Sequence, residues 1–255
     1  MTDVLVVSGA AWRRLALAVA CAALAQFLPL SAAQSEGSPL AESSPAALRD
    51  AGEFAAAFEV AWSAGGAEAL TLAAQAAVDH VVYELAPSGA PADEQRFWLE
   101  RALAAARAAR DLAPDSPDAL MQYARARGEL ARRTGVLQNL DVAPELRRAF
   151  ERVLELRPDD PDALVALGMW HLELVQAGVG WLYGGRRDQV LPLVSRGVEA
   201  APERVNLRVE YALALHALGQ EEEAREQLRL ALELPAPTAV DRAEQERARR
   251  LLEGW

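Results

Sequence analysis

From Ser44 onward the apolar residues recur almost continuously with the period of a helix. Leu207, Tyr211, Ala214, Leu215 and Leu218 form a stripe at i, i+4, i+7, i+8 and i+11, one face of an amphipathic helix. Gly219-Gln220 breaks the stripe, and a second helical stripe follows through Ala224, Leu228, Ala231 and Leu232. Leu146, Phe150, Val153 and Leu154 repeat the pattern upstream, as do Val190, Val194, Gly197 and Val198. No stretch alternates β-branched and polar residues, so the pattern predicts no strand. Helices that share one arrangement of small and large positions are expected to pack with one geometry.

The stops between these helices are periodic too. Leu112-Ala-Pro-Asp-Ser-Pro-Asp-Ala-Leu120, Leu156-Arg-Pro-Asp-Asp-Pro-Asp-Ala-Leu164 and Ala200-Ala-Pro-Glu-Arg-Val-Asn-Leu-Arg208 are copies of one phrase, and Pro114, Pro158 and Pro202 lie 44 residues apart. Proline lacks the N–H that a helix interior needs, so each ends the helix before it. Pro117 and Pro161 fall in a first turn, where that N–H is not missed, with Ser116 and Asp160 as N-caps. A fixed period in this range marks a stacked repeat array.

The unit resembles the tetratricopeptide repeat, two antiparallel helices in about 34 residues. Tyr211-Ala212, Leu215, Gly219, Ala224, Leu228 and Ala231 match its small and large positions, and Leu164, Leu167-Gly168 and His171 match in the preceding copy. The resemblance covers about 117–238. It implies an all-α, right-handed α-solenoid of antiparallel helix pairs. About three repeats would occupy 114–238, with N-terminal helices over 44–113 and a C-terminal capping helix over 239–255. The period exceeds the family's by about ten residues, which fall between the two helices of the first two repeats. With Trp170-His171-Leu172 and Tyr183-Gly184, this long-loop form is also similar to bacterial envelope proteins of the TRAP-transporter T-component type and to the mitochondrial regulators of microtubule dynamics.

The resemblance further implies a concave binding face lined by the first helix of each repeat. Asp118, Met121 and Arg125 would stand on it, then Asp162, Val165, Met169 and Glu173, then Asn206, Val209, Leu213 and His216. That surface reads as apolar with acidic edges. The family's clamp for peptide carboxylates uses several Lys, Arg and Asn residues, and here only Arg125 and Asn206 qualify. An apolar or basic protein or peptide suits the face better.

The N-terminus has a different character. Arg13-Arg14 precede the uncharged run Leu15–Leu30, and Ser31-Ala32-Ala33 supplies small residues for a signal peptidase. This pattern predicts a signal peptide over 1–33 with Gln34 as the new N-terminus, followed by a flexible tether over 34–43 rich in Ser, Pro, Glu and Ala. The expected location is periplasmic or secreted. The run falls short of the roughly 20 residues of a membrane span. An uncleaved anchor stays open as an alternative, as does lipidation at Cys21, although Ala18 stands where a lipobox prefers Leu.

Charge narrows the partners. The chain carries −11, and all 26 basic residues are arginine; cleavage would remove Asp3, Arg13 and Arg14 and leave about −12. This balance argues against nucleic acid and against adhesion to anionic lipid. A chain cleaved after Ala33 holds no cysteine, which excludes disulfides and thiolate chemistry.

Catalytic chemistry finds no constellation. His80, His171 and His216 are far apart in sequence, without metal-site spacing. Asp159-Asp160-Pro-Asp162 and Asp115-Ser-Pro-Asp118 lack the glycine and distal glutamate of a calcium loop and suit helix capping. The expectation is a non-enzyme with no cofactor or metal. The most unusual segment is Gly178-Val-Gly-Trp-Leu-Tyr-Gly-Gly-Arg-Arg187. It reads either as a recognition loop, since Trp, Tyr and Arg dominate binding hot spots, or as a structural cap. The candidate partner-binding residues are therefore Arg125, Met169, Glu173, Trp181, Tyr183, Arg186, Leu213 and His216. Two functions fit: an exported scaffold holding a protein or peptide in its groove, or a periplasmic small-molecule-binding or transporter-accessory protein whose chamber is roofed by the inserts.

Overall fold

The computed structural model describes residues 44–134 and 141–255. The expected signal peptide and tether lie outside the described residues, as does most of the first inter-helix insert. Helices account for nearly all of what is described, with no strand among those residues. They run α1 (Pro45–Ala51), α2 (Phe54–Ala64), α3 (Ala67–Asp79) continuing into a π-helical segment (His80–Leu85), α4 (Ala92–Leu112), α5 (Pro117–Thr134) and α6 (Val142–Leu156). Then come α7 (Pro161–Gln176), the short α8 (Gly180–Tyr183), α9 (Arg187–Ala200), α10 (Val205–Ala217), α11 (Glu221–Glu233) and α12 (Ala239–Gly254).

The periodic punctuation acts as its chemistry requires. Helices α5, α7 and α10 start at 117, 161 and 205, keeping the proline spacing. The Ser116 hydroxyl accepts from Ala119 N–H at 3.3 Å, and the Asp160 carboxylate from Ala163 N–H at 2.9 Å, so both caps satisfy a first-turn donor that has no partner within its helix. Each repeat is an antiparallel pair: α5 with α6, α7 with α9, α10 with α11.

Glycine sets the closest crossing. A Cβ on Gly168 would stand 2.5 Å from Val194 Cγ2, and one on Gly197 would stand 2.6 Å from Val165 Cγ2 and 2.9 Å from the Pro161 carbonyl. Helices α7 and α9 therefore touch backbone to side chain at two glycines, one on each helix. On α7's other flank, Trp170 Nε1–H donates to the Ala143 carbonyl at 2.9 Å and fixes α7 against α6.

Two features go beyond the expectation. Helix α3, extended by the π-helical segment, forms a pair with α4 that stacks on α5 as the later repeats stack on each other. The region 44–113 thus contains a fourth helix pair, which opens after Gly65-Gly66 and lacks the proline punctuation. The second feature is the path of α12. Thr238 and Asp241 form a capping box that starts it, and it packs on α10 and α11 as a capping helix should. It also reaches the beginning of the array. The Ala239 Cβ lies 3.1 Å from where a Cβ on Gly52 would stand, and the Tyr83 hydroxyl donates to Glu244 Oε1 at 2.8 Å across 161 residues of sequence. The last helix closes onto the first ones.

Candidate functional site

The first helices of the pairs, expected from sequence to form the binding face, carry charged residues that link one pair to the next. Asp79, at the end of α3, is fully buried. It accepts from Arg49 Nε at 2.6 Å and from Arg125 Nη2 at 2.7 Å. Burial alone would push the Arg125 pKa down, but Asp79 beside it raises it. Further along α5, Glu129 bonds both Arg132 and Arg133, and Arg132 reaches Glu173 on α7 at 3.2 Å. Burial would raise the Glu129 pKa; the two guanidiniums outweigh it and bring it below the usual range. On the far side Arg247 of α12 bonds Glu210 of α10 at 2.9 Å and approaches Glu244 at 3.4 Å. The Glu244 pKa rises, chiefly from burial.

This surface corrects the apolar one expected from sequence. Arg125 is held by Asp79 and keeps only part of its side chain exposed. Leu213 packs into the core beside Leu251, Leu252 and Trp255 of the C-terminal segment. His216 stacks on the Trp255 ring at 3.9 Å, with the planes 4° apart. Met169 is half-buried against Leu172 and Val194. Glu173 is well exposed, at 52% of its side chain, as is Asp118 at 63%, whereas Met169, Leu213 and His216 are half-buried. The Glu173 pKa is raised, first by desolvation within the groove and further by Glu210 and Glu129, against the pull of Arg132.

The insert residues lie elsewhere. A Cβ on Gly185 would come 2.7 Å from Leu174 Cβ, and one on Gly184 would come 3.0 Å from Arg147 Nη1. Arg186 N–H donates to His171 Nδ1 at 3.1 Å. At about 100° per residue, His171 and Leu174 point roughly 100–160° away from Met169 and Glu173 on α7. The insert therefore packs behind the groove, and the eight candidate residues divide between two sides of the solenoid. Burial lowers the His171 pKa, helped by Arg147 and Arg186, which suits a neutral ring accepting at Nδ1.

Within the insert the two readings separate by residue. Tyr183 packs beside Trp170 and Leu174 and acts as a cap. Trp181 is 84% exposed and Leu182 54%. Arg186 is exposed and pairs with Asp188 at 2.8 Å.

The buried Asp79 and Glu244, with Tyr83, anchor the charged residues of the first helices from beneath without having been expected there. Asp79 had a signal in the sequence, a lone carboxylate ending the apolar run Ala73-Ala-Gln-Ala-Ala-Val78. An aromatic cluster on α2 and α4 was equally unexpected. Phe58 and Trp62 stack at 5.8 Å, and Arg101 lies 4.2 Å from the Phe58 ring and 4.7 Å from Trp98. Two clefts stand out. One, of about 360 Å³, is lined by Ala92, Asp93, Gln95, Arg96, Arg133 and Thr134; the other, of about 250 Å³, lies between Ser195, Val198, Tyr211 and Gln227. Neither involves the 178–187 insert. Among the described residues no three His, Cys, Asp or Glu stand as a metal-holding group, and no helix is long and apolar enough to cross a membrane.

No family model matches the chain, and no curated protein matches it either. Solved structures do. MamA is similar over 78% of this chain and 92% of its own, with 16% identity and a TM-score of 0.42. TTC0263, a thermophilic tetratricopeptide-repeat protein of Thermus thermophilus, is similar over 78% of this chain and 92% of its own, with 15% identity and a TM-score of 0.57. Together with the stacked antiparallel pairs, that second likeness establishes that this chain has the fold of a tetratricopeptide-repeat α-solenoid.

Proposed function

We propose that the chain is an exported, non-enzymatic scaffold that holds a protein or peptide partner in its concave groove. The observation that carries this reading is Glu173. It stands exposed on the concave side, its charge opposed by Glu129 and Glu210 and matched by one shared arginine. A cationic side chain of a partner would relieve that excess, and the half-buried Met169 one turn away offers an apolar contact. The partner is therefore a basic segment with an apolar neighbour, seated between α5 and α7. Helix α12 already covers the α10 side through Leu213 and His216.

The small-molecule reading has less support, because the insert meant to roof a chamber packs behind the groove. Capture from envelope extract tests the scaffold. Glu173→Arg should abolish recovery of the partner, and Glu173→Gln should weaken it and reduce its salt dependence. Recovery by Glu173→Arg equal to wild type would remove the groove from the site. Export rests on the Ser31-Ala32-Ala33 motif, and N-terminal sequencing of the fractionated protein checks it, with Gln34 expected first.

A further inference from the structure

Helix α12 makes two kinds of contact. Towards α10 and α11 it is apolar, and Ala248, Leu251, Leu252 and Trp255 join Val209 and Leu228 in one cluster. Towards the N-terminal helices it is polar. The apolar cluster of α1–α5 contains no residue of α12 among the described residues. A hydrogen bond crosses this seam instead, from the Tyr83 hydroxyl to Glu244 Oε1 at 2.8 Å, and Gly52 meets Ala239 there. A hydrogen bond exchanges with water at little net cost, whereas parting an apolar cluster exposes its whole area. The polar side is therefore where the closed array yields first.

Glu244 is a costly group to place at such a seam. It is 3% exposed. Among the described residues the cation bonded to it is Arg247, at 3.4 Å, and that guanidinium lies closer to Glu210 of α10, at 2.9 Å. Two carboxylates thus share one guanidinium. From the N-terminal side Glu244 meets the neutral Tyr83 phenol. Beyond that ring Asp79 of α3 is already held by Arg49 of α1 and Arg125 of α5. From α11, Arg225 bonds the Trp255 carbonyl at the far end of α12. A buried carboxylate needs a full counter-charge, and a proton on Glu244 removes the surplus while leaving an oxygen to accept from Tyr83. The Glu244 pKa is raised, first by burial and further by Glu210, against the pull of Arg247 and the Tyr83 bond.

We propose that this seam is an acid-closed clasp: with Glu244 protonated, α12 holds the array shut against the N-terminal helices, and with Glu244 ionised it parts from them while keeping its seat on α10 and α11. The clasp needs no partner in the groove. The closed form binds the proton more tightly than the open one. Closure is therefore strongest below the ordinary value near about 4.5 and weakens as pH rises through the closed-state value.

Spin labels read the seam directly. The full chain with Cys21→Ala takes labels at Ala51→Cys on α1 and Arg242→Cys on α12, both exposed positions, and pulsed electron double resonance measures the distance between them. From about pH 5 to about pH 8 the separated fraction should rise several-fold, since each unit between the closed and open pKa changes closure about tenfold. A second pair, Glu226→Cys on α11 with Arg242→Cys, should keep its distance. Glu244→Gln accepts from Tyr83 without ionising and should stay closed across the range. Tyr83→Phe, lacking the donor, should be more separated than wild type at both ends. A wild-type distance that ignores pH overturns the proposal. So does a pH response retained by Glu244→Gln, movement of the second pair with the first, or separation that tracks loss of helical circular dichroism.

Discussion

Replacing Gly168 by Leu tests the crossing on which the third pair depends. Even the first added carbon would stand 2.5 Å from Val194 Cγ2, 3.1 Å from the Val190 carbonyl oxygen and 3.3 Å from Leu193 Cβ. Val194 is β-branched and fully buried, so its methyl has no free rotamer to take, and the carbonyl belongs to the helix itself. Overpacking of a tight core costs about 1–3 kcal/mol, and this site belongs at the upper end. Leu is a better helix former than Gly by about 1 kcal/mol, which offsets part of the cost. The expected net loss is about 2 kcal/mol. For a chain of this size that lowers the melting temperature by about 4–8 °C, read by far-ultraviolet circular dichroism. Gly128→Ala is the control, because its Cβ would meet Leu146 Cδ1 at an ordinary 3.4 Å. It should keep the propensity gain and melt about 2–4 °C higher than wild type. Adding Val194→Ala to Gly168→Leu should recover part of the loss beyond what the two single changes sum to. If Gly168→Leu melts no lower than wild type, the α7–α9 register is wrong.

The insert supplies a second comparison: Tyr183→Ala should cost about 2 kcal/mol by emptying its place against Trp170 and Leu174, while Trp181→Ala should leave the melting temperature unchanged. Asp79→Ala should cost about 3–5 kcal/mol in urea unfolding, because it strands Arg49 and Arg125 without their shared carboxylate. The His171 pKa is depressed in the fold, so its stabilising contribution is present above the ordinary value near about 6.5 and is lost as pH falls through the lower folded value; hydrogen exchange at the Arg186 amide, corrected for intrinsic rate, should accelerate over that window. Glu173 has the opposite sign. Its folded pKa is raised, so its favourable contribution is full below about 4.5 and disappears as pH rises through the folded value. Glu173→Gln should therefore be at least as stable as wild type at neutral pH, with any gain vanishing in acid; a variant less stable at neutral pH would contradict the direction of that shift.

The helices, their order and their spacing were determined by the sequence alone, because each rule behind them is local. A proline stops a helix wherever it stands, Ser116 and Asp160 cap the turns that follow them, and an apolar stripe must face a neighbour. The same locality hid the pair of α3 and α4, which stacks like a repeat but opens on glycines without the proline phrase. The sequence placed candidate residues on the first helices of the pairs but not the partners those residues would meet. That Arg125 would be held by Asp79, Tyr83 by Glu244 and His216 by Trp255 depends on how far the stack curves, and curvature is a sum of small helix–helix rotations that no single stretch of sequence encodes. Only the tertiary structure decided that α12 returns to the first helices, that the C-terminal segment meets Leu213 and His216, that the insert packs on the His171 and Leu174 side of α7, and that two near neighbours in sequence part company there, Trp181 going out to solvent and Tyr183 packing half-buried against Trp170 and Leu174.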